Sequence, residues 1–204
     1  MTEQAALLRQ LQADDPTECI AAAEALGRQK NVDAVEPLLD LLRHDDIDVK
    51  RAAVVALRRI RDERASVPFI YLFNDEDDAV RRGVSAWFMG LRGDQSHLVE
   101  PLCEVLTAPE SRISTREFAA MLLGKFGDEH ALDALHDALE MYPQLRLRIT
   151  QTLQRTADPR SVPYLVPLLD ATGDPRLPRV AAKTLKMIGT PAALAAVEVW
   201  QQRG

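Results

Sequence analysis

One template recurs along this chain and restricts what it can fold into. From Asp48 to Asp62, apolar residues fall at Val49, Ala53, Leu57 and Ile60. Those offsets place a single stripe on a helix of 3.6 residues per turn, with Arg51, Val55 and Arg58 opposite. The pattern returns from Val80 to Leu91, from Thr115 to Asp128, from Leu145 to Asp158 and, more loosely, from Leu177 to Gly189. A degenerate first copy runs from Glu18 to Lys30. The interval is about 30 to 35 residues, the period of helical arrays in which each unit hides its apolar face on its neighbour.

Shorter apolar segments separate the copies, so each copy reads as the second helix of a pair. Thr2 is placed to cap a first helix, and Asp15 to cap the next with Pro16 at its first position. Asp33 is expected to cap the helix bearing Val35, Leu38, Leu39, Leu41 and Leu42; Pro37 sits in its first turn, where a missing amide hydrogen costs little. Gly173, Pro175 and Pro178 form the densest group of helix breakers. Pro191 opens a last helix with Ala193, Leu194, Val197 and Trp200 on its apolar side. No alternating strand pattern appears. The expected fold is all-α: a right-handed α-α superhelix of about six helix pairs with a terminal capping helix, residues 1–204 forming one solenoid.

The chain has 204 residues, and aromatics are only 5% of them, so small residues must let the helices stack closely. The net charge of -6 argues against a general nucleic-acid or membrane-surface binder. No apolar run is long enough for a membrane span, and the start lacks the basic and apolar regions of a signal peptide. Two isolated cysteines, Cys19 and Cys103, suit a reducing compartment, so the cytoplasm is the expected location.

No catalytic constellation stands out. There is no Ser-His-Asp order, glycine-rich phosphate loop or CxxC, and Cys103 reads as a small buried hydrophobe. His44, His97, His130 and His136 are too scattered for a metal site and read as surface residues. The expectation is therefore no metal, no cofactor and no catalytic residue. Lys50, Arg81, Arg116 and Arg146 recur at one template position. They are expected to pair with acidic turn residues such as Asp48, Asp62, Asp78 and Asp128. Trp87 follows the core register.

The positions opposite the apolar stripe are more informative. Read repeat by repeat, they are Ile20, Glu24 and Gly27; Arg51, Val55 and Arg58; Arg82, Ala86 and Met89; Glu117, Met121 and Gly124; Leu147, Gln151 and Gln154; and Arg179, Lys183 and Lys186. Phe118, Arg148 and Arg155 flank them. Only Glu24 and Glu117 are acidic, so an acidic protein has gathered its cations on one set of positions. The expected partner site is a basic concave groove lined by the second helices, with charge from Arg51, Arg58, Arg82, Arg148, Arg155, Arg179, Lys183 and Lys186. Met89, Phe118 and Met121 would supply its apolar centre. Such a groove suits an acidic protein partner.

The pattern Val-Arg-x-x-Ala-Ala-x-Ala-Leu-Gly-x-Ile-Gly-Asp resembles the HEAT-like repeats of the phycobilisome-lyase type. Thr115 to Asp128 is the fullest copy, with fragments at Ala25-Leu26-Gly27 and Ile188-Gly189. The family's arginine position holds Lys50, Arg81, Arg116 and Arg146, but Cys19 and Pro178 replace it in the first and sixth copies. The resemblance implies a helical solenoid. It also implies either a plain binding scaffold or a bilin lyase-like subunit or chaperone acting on phycobiliproteins, with bilin as a ligand. Relatives that are metal-dependent hydroxylases carry His-Glu pairs; here Glu129-His130 has the reverse order.

Overall fold

Each copy of the template becomes a long helix. In the computed structural model, which describes residues 2–127 and 129–203, the chain forms two compact units, Met1–Gly93 and Asp94–Gly204. Among the described residues there is no strand, and no helix is long and apolar enough to cross a membrane.

Unit 1 contains α1 (Glu3–Gln10), α2 (Pro16–Gln29), α3 (Val35–Asp40), α4 (Ile47–Ile60), α5 (Ser66–Tyr71) and α6 (Asp78–Gly90). The even-numbered helices α2, α4 and α6 pack in a row, with α3 against α4 and α5 against α6. The acidic turns start these helices. The side chain of Asp15 accepts from the Thr17 amide, that of Asp46 from Asp48 and Val49, and that of Asp77 from Val80. Each satisfies amides that the first helical turn leaves unpartnered. The Thr2 cap on α1 is present as expected. Before α3, however, Asn31 rather than Asp33 caps the chain, because a tight turn at Val32–Ala34 precedes the helix.

The apolar stripe is buried in register: Val49, Ala53 and Leu57 are inaccessible to solvent. The contact between α2 and α4 is so close that a Cβ on Gly27 would stand 2.7 Å from the Ala56 Cα. Gly27 is therefore an interface residue, not the outward one its offset suggested. Gly83 on α6 lies equally close to a Val54 methyl of α4. Trp87 is in the core as expected, edge-on to Phe69 and donating its indole N–H to Ser66 Oγ at 3.3 Å.

Unit 2 contains α7 (Val99–Thr107), α8 (Ile113–Phe126), α9 (Glu129–Met141), α10 (Arg146–Thr156), α11 (Val162–Leu165), α12 (Arg176–Ile188) and α13 (Pro191–Arg203). Again the even-numbered helices α8, α10 and α12 pack in a row, and α13 closes on α12. Gly124 of α8 admits the Thr152 methyl of α10. On α13, Ala193 and Val197 are buried and Trp200 is half-buried, but Leu194 faces solvent.

Two further expectations are corrected. His136 is a buried residue, its Nε2 2.9 Å from Ser161 Oγ and its ring stacked on Tyr164 at 4.0 Å between centroids. Burial pushes its pKa below the ordinary histidine value, against the opposing pull of Asp133. The recurring cations do not form a uniform carboxylate ladder either. Lys50 reaches Asp75 of the following turn at 2.8 Å, and Arg81 pairs with Asp78. Arg116 instead donates to the backbone carbonyls of Leu106, Ala108, Pro109 and Ser111, and Arg146 to that of Leu139. The reason is local: residues 107–112 and 142–145 carry no aspartate, so the guanidinium satisfies carbonyls where the preceding helix ends. Asp128 lies outside the described residues.

Candidate functional site

The eleven positions proposed from the sequence divide between the two units. In unit 1, Arg51 and Arg82 are exposed but not free. Arg51 Nε is 3.1 Å from Asp77 Oδ1, a terminal nitrogen also contacts Asp77, and the other is 2.8 Å from Asp48. These bonds raise the Arg51 pKa further and hold the Asp77 carboxyl well below the usual carboxylate range, with the Val80 amide assisting. Arg82 pairs with Asp78 one turn earlier. Arg58 is half-buried beside Gly83, and Met89 is exposed. The aspartates that begin α4 and α6 thus neutralise much of the basic character of this unit.

Unit 2 differs because of what its helices lack. Neither α10 (RLRITQTLQRT) nor α12 (RLPRVAAKTLKMI) contains an acidic residue. Arg146 is turned onto a carbonyl, and Arg176 is held by Asp174, whose carboxyl drops to about 2. Arg148, Arg155, Arg179, Lys183 and Lys186 are all exposed, and among the described residues none of them forms an ion pair. The two helices are neighbours in the row, with Gln154 Nε2 3.2 Å from Met187 Sδ across their contact. On α8, Phe118 and Met121 are half-buried.

Arg179, Lys183 and Lys186 sit one turn apart along one face of α12, opposite the buried Ala181 and Leu185. With Ala182, Trp200 and Gln201 they line a notch of about 300 Å³ where α12 meets α13. No carboxylate lines it. Periodicity places Trp200 only on the apolar side of the last helix. Its place beside the cations comes from the α12–α13 contact, which periodicity along one helix does not encode. Among the described residues no group of three or more His, Cys, Asp and Glu side chains could hold a metal ion.

The chain was compared with known proteins. Residues 5–90 and 139–200 match the family described as HEAT repeats, and residues 115–141 match the PBS lyase HEAT-like repeat. No curated protein sequence matches the chain. Among solved structures, an engineered protein is similar at 21% identity, with 98% of this chain and 62% of that one covered and a TM-score of 0.56. Human deoxyhypusine hydroxylase in complex with glycerol aligns at 21% identity over 96% of this chain and 77% of its own, with a TM-score of 0.47. The complex of CpcE and CpcF of phycocyanin lyase from Nostoc sp. PCC7120 aligns at 22% identity over 96% and 80%, with a TM-score of 0.48.

Proposed function

The chain belongs to the HEAT-repeat family, and we propose that it is a non-catalytic cytoplasmic scaffold that grips an acidic protein through the basic helices of unit 2. One observation carries the reading: five exposed cations on α10 and α12 have no carboxylate partner among the described residues, in a chain whose net charge is -6. Unpaired like charges on adjacent helices repel one another, and an acidic partner relieves that repulsion. Phe118 and Met121 on α8 supply apolar surface nearby in the same row. We assign Arg51 and Arg82 to the fold rather than to the partner, because Asp77 and Asp78 already hold them.

An acidic phycobiliprotein, supplied as purified phycocyanin, is the first partner to test. Binding followed by fluorescence anisotropy should weaken with rising salt. Lys183→Glu with Lys186→Glu should cut affinity at low salt by about tenfold or more, whereas Arg82→Glu should change it by less than about twofold. Equal effects of the two changes would sink the assignment.

A second reading is favoured by the match of residues 115–141 to the PBS lyase HEAT-like repeat. In it the chain is a lyase-like subunit that handles a bilin, whose propionates would meet the same arginines. Mixing the protein with free phycocyanobilin and recording the visible spectrum tests this. A saturable shift of the bilin bands supports the second reading; an unchanged spectrum leaves the scaffold.

A further inference from the structure

We infer that the notch between α12 and α13 anchors an acidic peptide segment carrying one aromatic residue. Its carboxylates would lie on Arg179, Lys183 and Lys186, and its ring on Trp200. The inference rests on the reading of unit 2 as a basic docking surface and adds the form of the ligand.

The argument begins with spacing. From Arg179 to Lys186 is seven residue-to-residue steps of helix, or about 10 Å at 1.5 Å per residue. A compact anion such as phosphate reaches one or two of them. A linear ligand with a negative charge every 5 to 7 Å or so reaches all three, and carboxylates at alternate positions of an extended peptide have that repeat.

The second element is Trp200. Of the two tryptophans, Trp87 is buried in unit 1 with its N–H on Ser66, while Trp200 is half-buried and borders the cations. An indole in the same notch as a row of positive charges offers a stacking surface to a ring arriving with carboxylates on either side. Gln201, beside it, is a neutral hydrogen-bonding group suited to a peptide backbone. Asp170, which lines a neighbouring depression with Trp200 and Gln201, pairs with Arg203 at 3.5 Å and does not line the notch.

The third element is size. A notch of about 300 Å³ is at the small end of ligand pockets and accommodates one side chain. A strand of nucleic acid would meet the same cations, but the chain's overall negative charge opposes it.

The test uses the full chain and three labelled probes. One is a glutamate-rich peptide of about ten residues, long enough to span the row, with a central Phe. The second is the same peptide with Gly for Phe, and the third is an oligothymidylate of equal charge. The Phe peptide should bind about fivefold or more tightly than the Gly peptide and shift the emission of Trp200. Trp200→Phe should abolish that shift, leaving only the signal of Trp87. Gln201→Glu, at an exposed position that leaves the fold intact, should weaken the Phe peptide by about tenfold by placing a carboxylate in the notch. Equal affinity for the two peptides overturns the aromatic anchor and leaves the scaffold standing. If neither peptide responds to Lys183→Glu with Lys186→Glu, the scaffold reading falls as well. Oligothymidylate binding as tightly as the Phe peptide overturns the peptide assignment.

Discussion

The two units use the same repeat chemistry to different ends. In unit 1, cations of α4 close onto aspartates of the following turn: Lys50 onto Asp75 and Arg51 onto Asp77. Each such pair ties a helix to a turn and spends its charge there. In unit 2 the links 107–112 and 142–145 contain no aspartate. The cation at the template position turns onto carbonyls, and the cations beyond it stay open to solvent. At the template position, then, the composition of the adjacent turn decides whether the cation takes a carboxylate, as Lys50 does, or carbonyls, as Arg116 and Arg146 do.

The largest expected effect sharpens this contrast. Arg116 is 5% exposed, satisfies four carbonyls and stacks its guanidinium on Tyr142 at 4.1 Å. Arg116→Met removes all four of these buried hydrogen bonds and should cost about 3 kcal/mol or more in urea denaturation. Arg51→Met breaks only exposed ion pairs and should cost about 1 kcal/mol or less. Equal losses would erase the distinction between the two kinds of fastening.

Next in size are the glycines at the helix contacts. Gly27→Ala drives a methyl against the Ala56 backbone, which cannot turn aside; Gly124→Ala meets the movable side chain of Thr152. Both should destabilise, by about 1 to 3 kcal/mol, with the unit 1 change the worse. Thr152→Ala should rescue Gly124→Ala, while no side-chain truncation should rescue Gly27→Ala. Thermal melts of the single and double variants check this, and a reversed order would show that the α2–α4 contact yields.

The smallest effect is a pH dependence just below neutrality, carried by a histidine of unit 2. His136 has a folded pKa below its unfolded value of about 6.5. The unfolded chain then binds the proton more readily, so His136's contribution is fully present above that value and is lost as pH falls toward the folded pKa. Asp62, Asp77, Asp158 and Asp174, also lowered, act in the same sense but in a more acidic window. Replacing His136 with Gln, which can still bond Ser161, should flatten the stability curve between pH 7 and 5. An unaltered curve would mean that this imidazole is not responsible.

The burial register was readable because a helix repeats every 3.6 residues, and Val49, Ala53 and Leu57 obey it. Features set by contacts between helices were not. His136 meets Ser161 twenty-five residues away, and Lys50 finds Asp75 in the following turn rather than the nearby Asp48. Gly27 looked outward on its own helix wheel and became interior only because α4 approaches it. The cations of α12 could be named from offsets, and those of α10 from the positions flanking them. Their freedom from partners, and the company of Trp200, required the packed repeats.

The close fit of Gly83 against Val54 bears on how such an array can grow. The template aligns Gly83 of α6 with Ala52 of α4. If α3 and α4 were duplicated in tandem, Ala52 of the second copy would stand where Gly83 now receives the Val54 methyl, and its own methyl would fill that space. The units look interchangeable in outline but are keyed to their neighbours. Lengthening this chain by copying one repeat would demand a compensating substitution at the new seam, so its order of repeats is heritable as a whole rather than piece by piece.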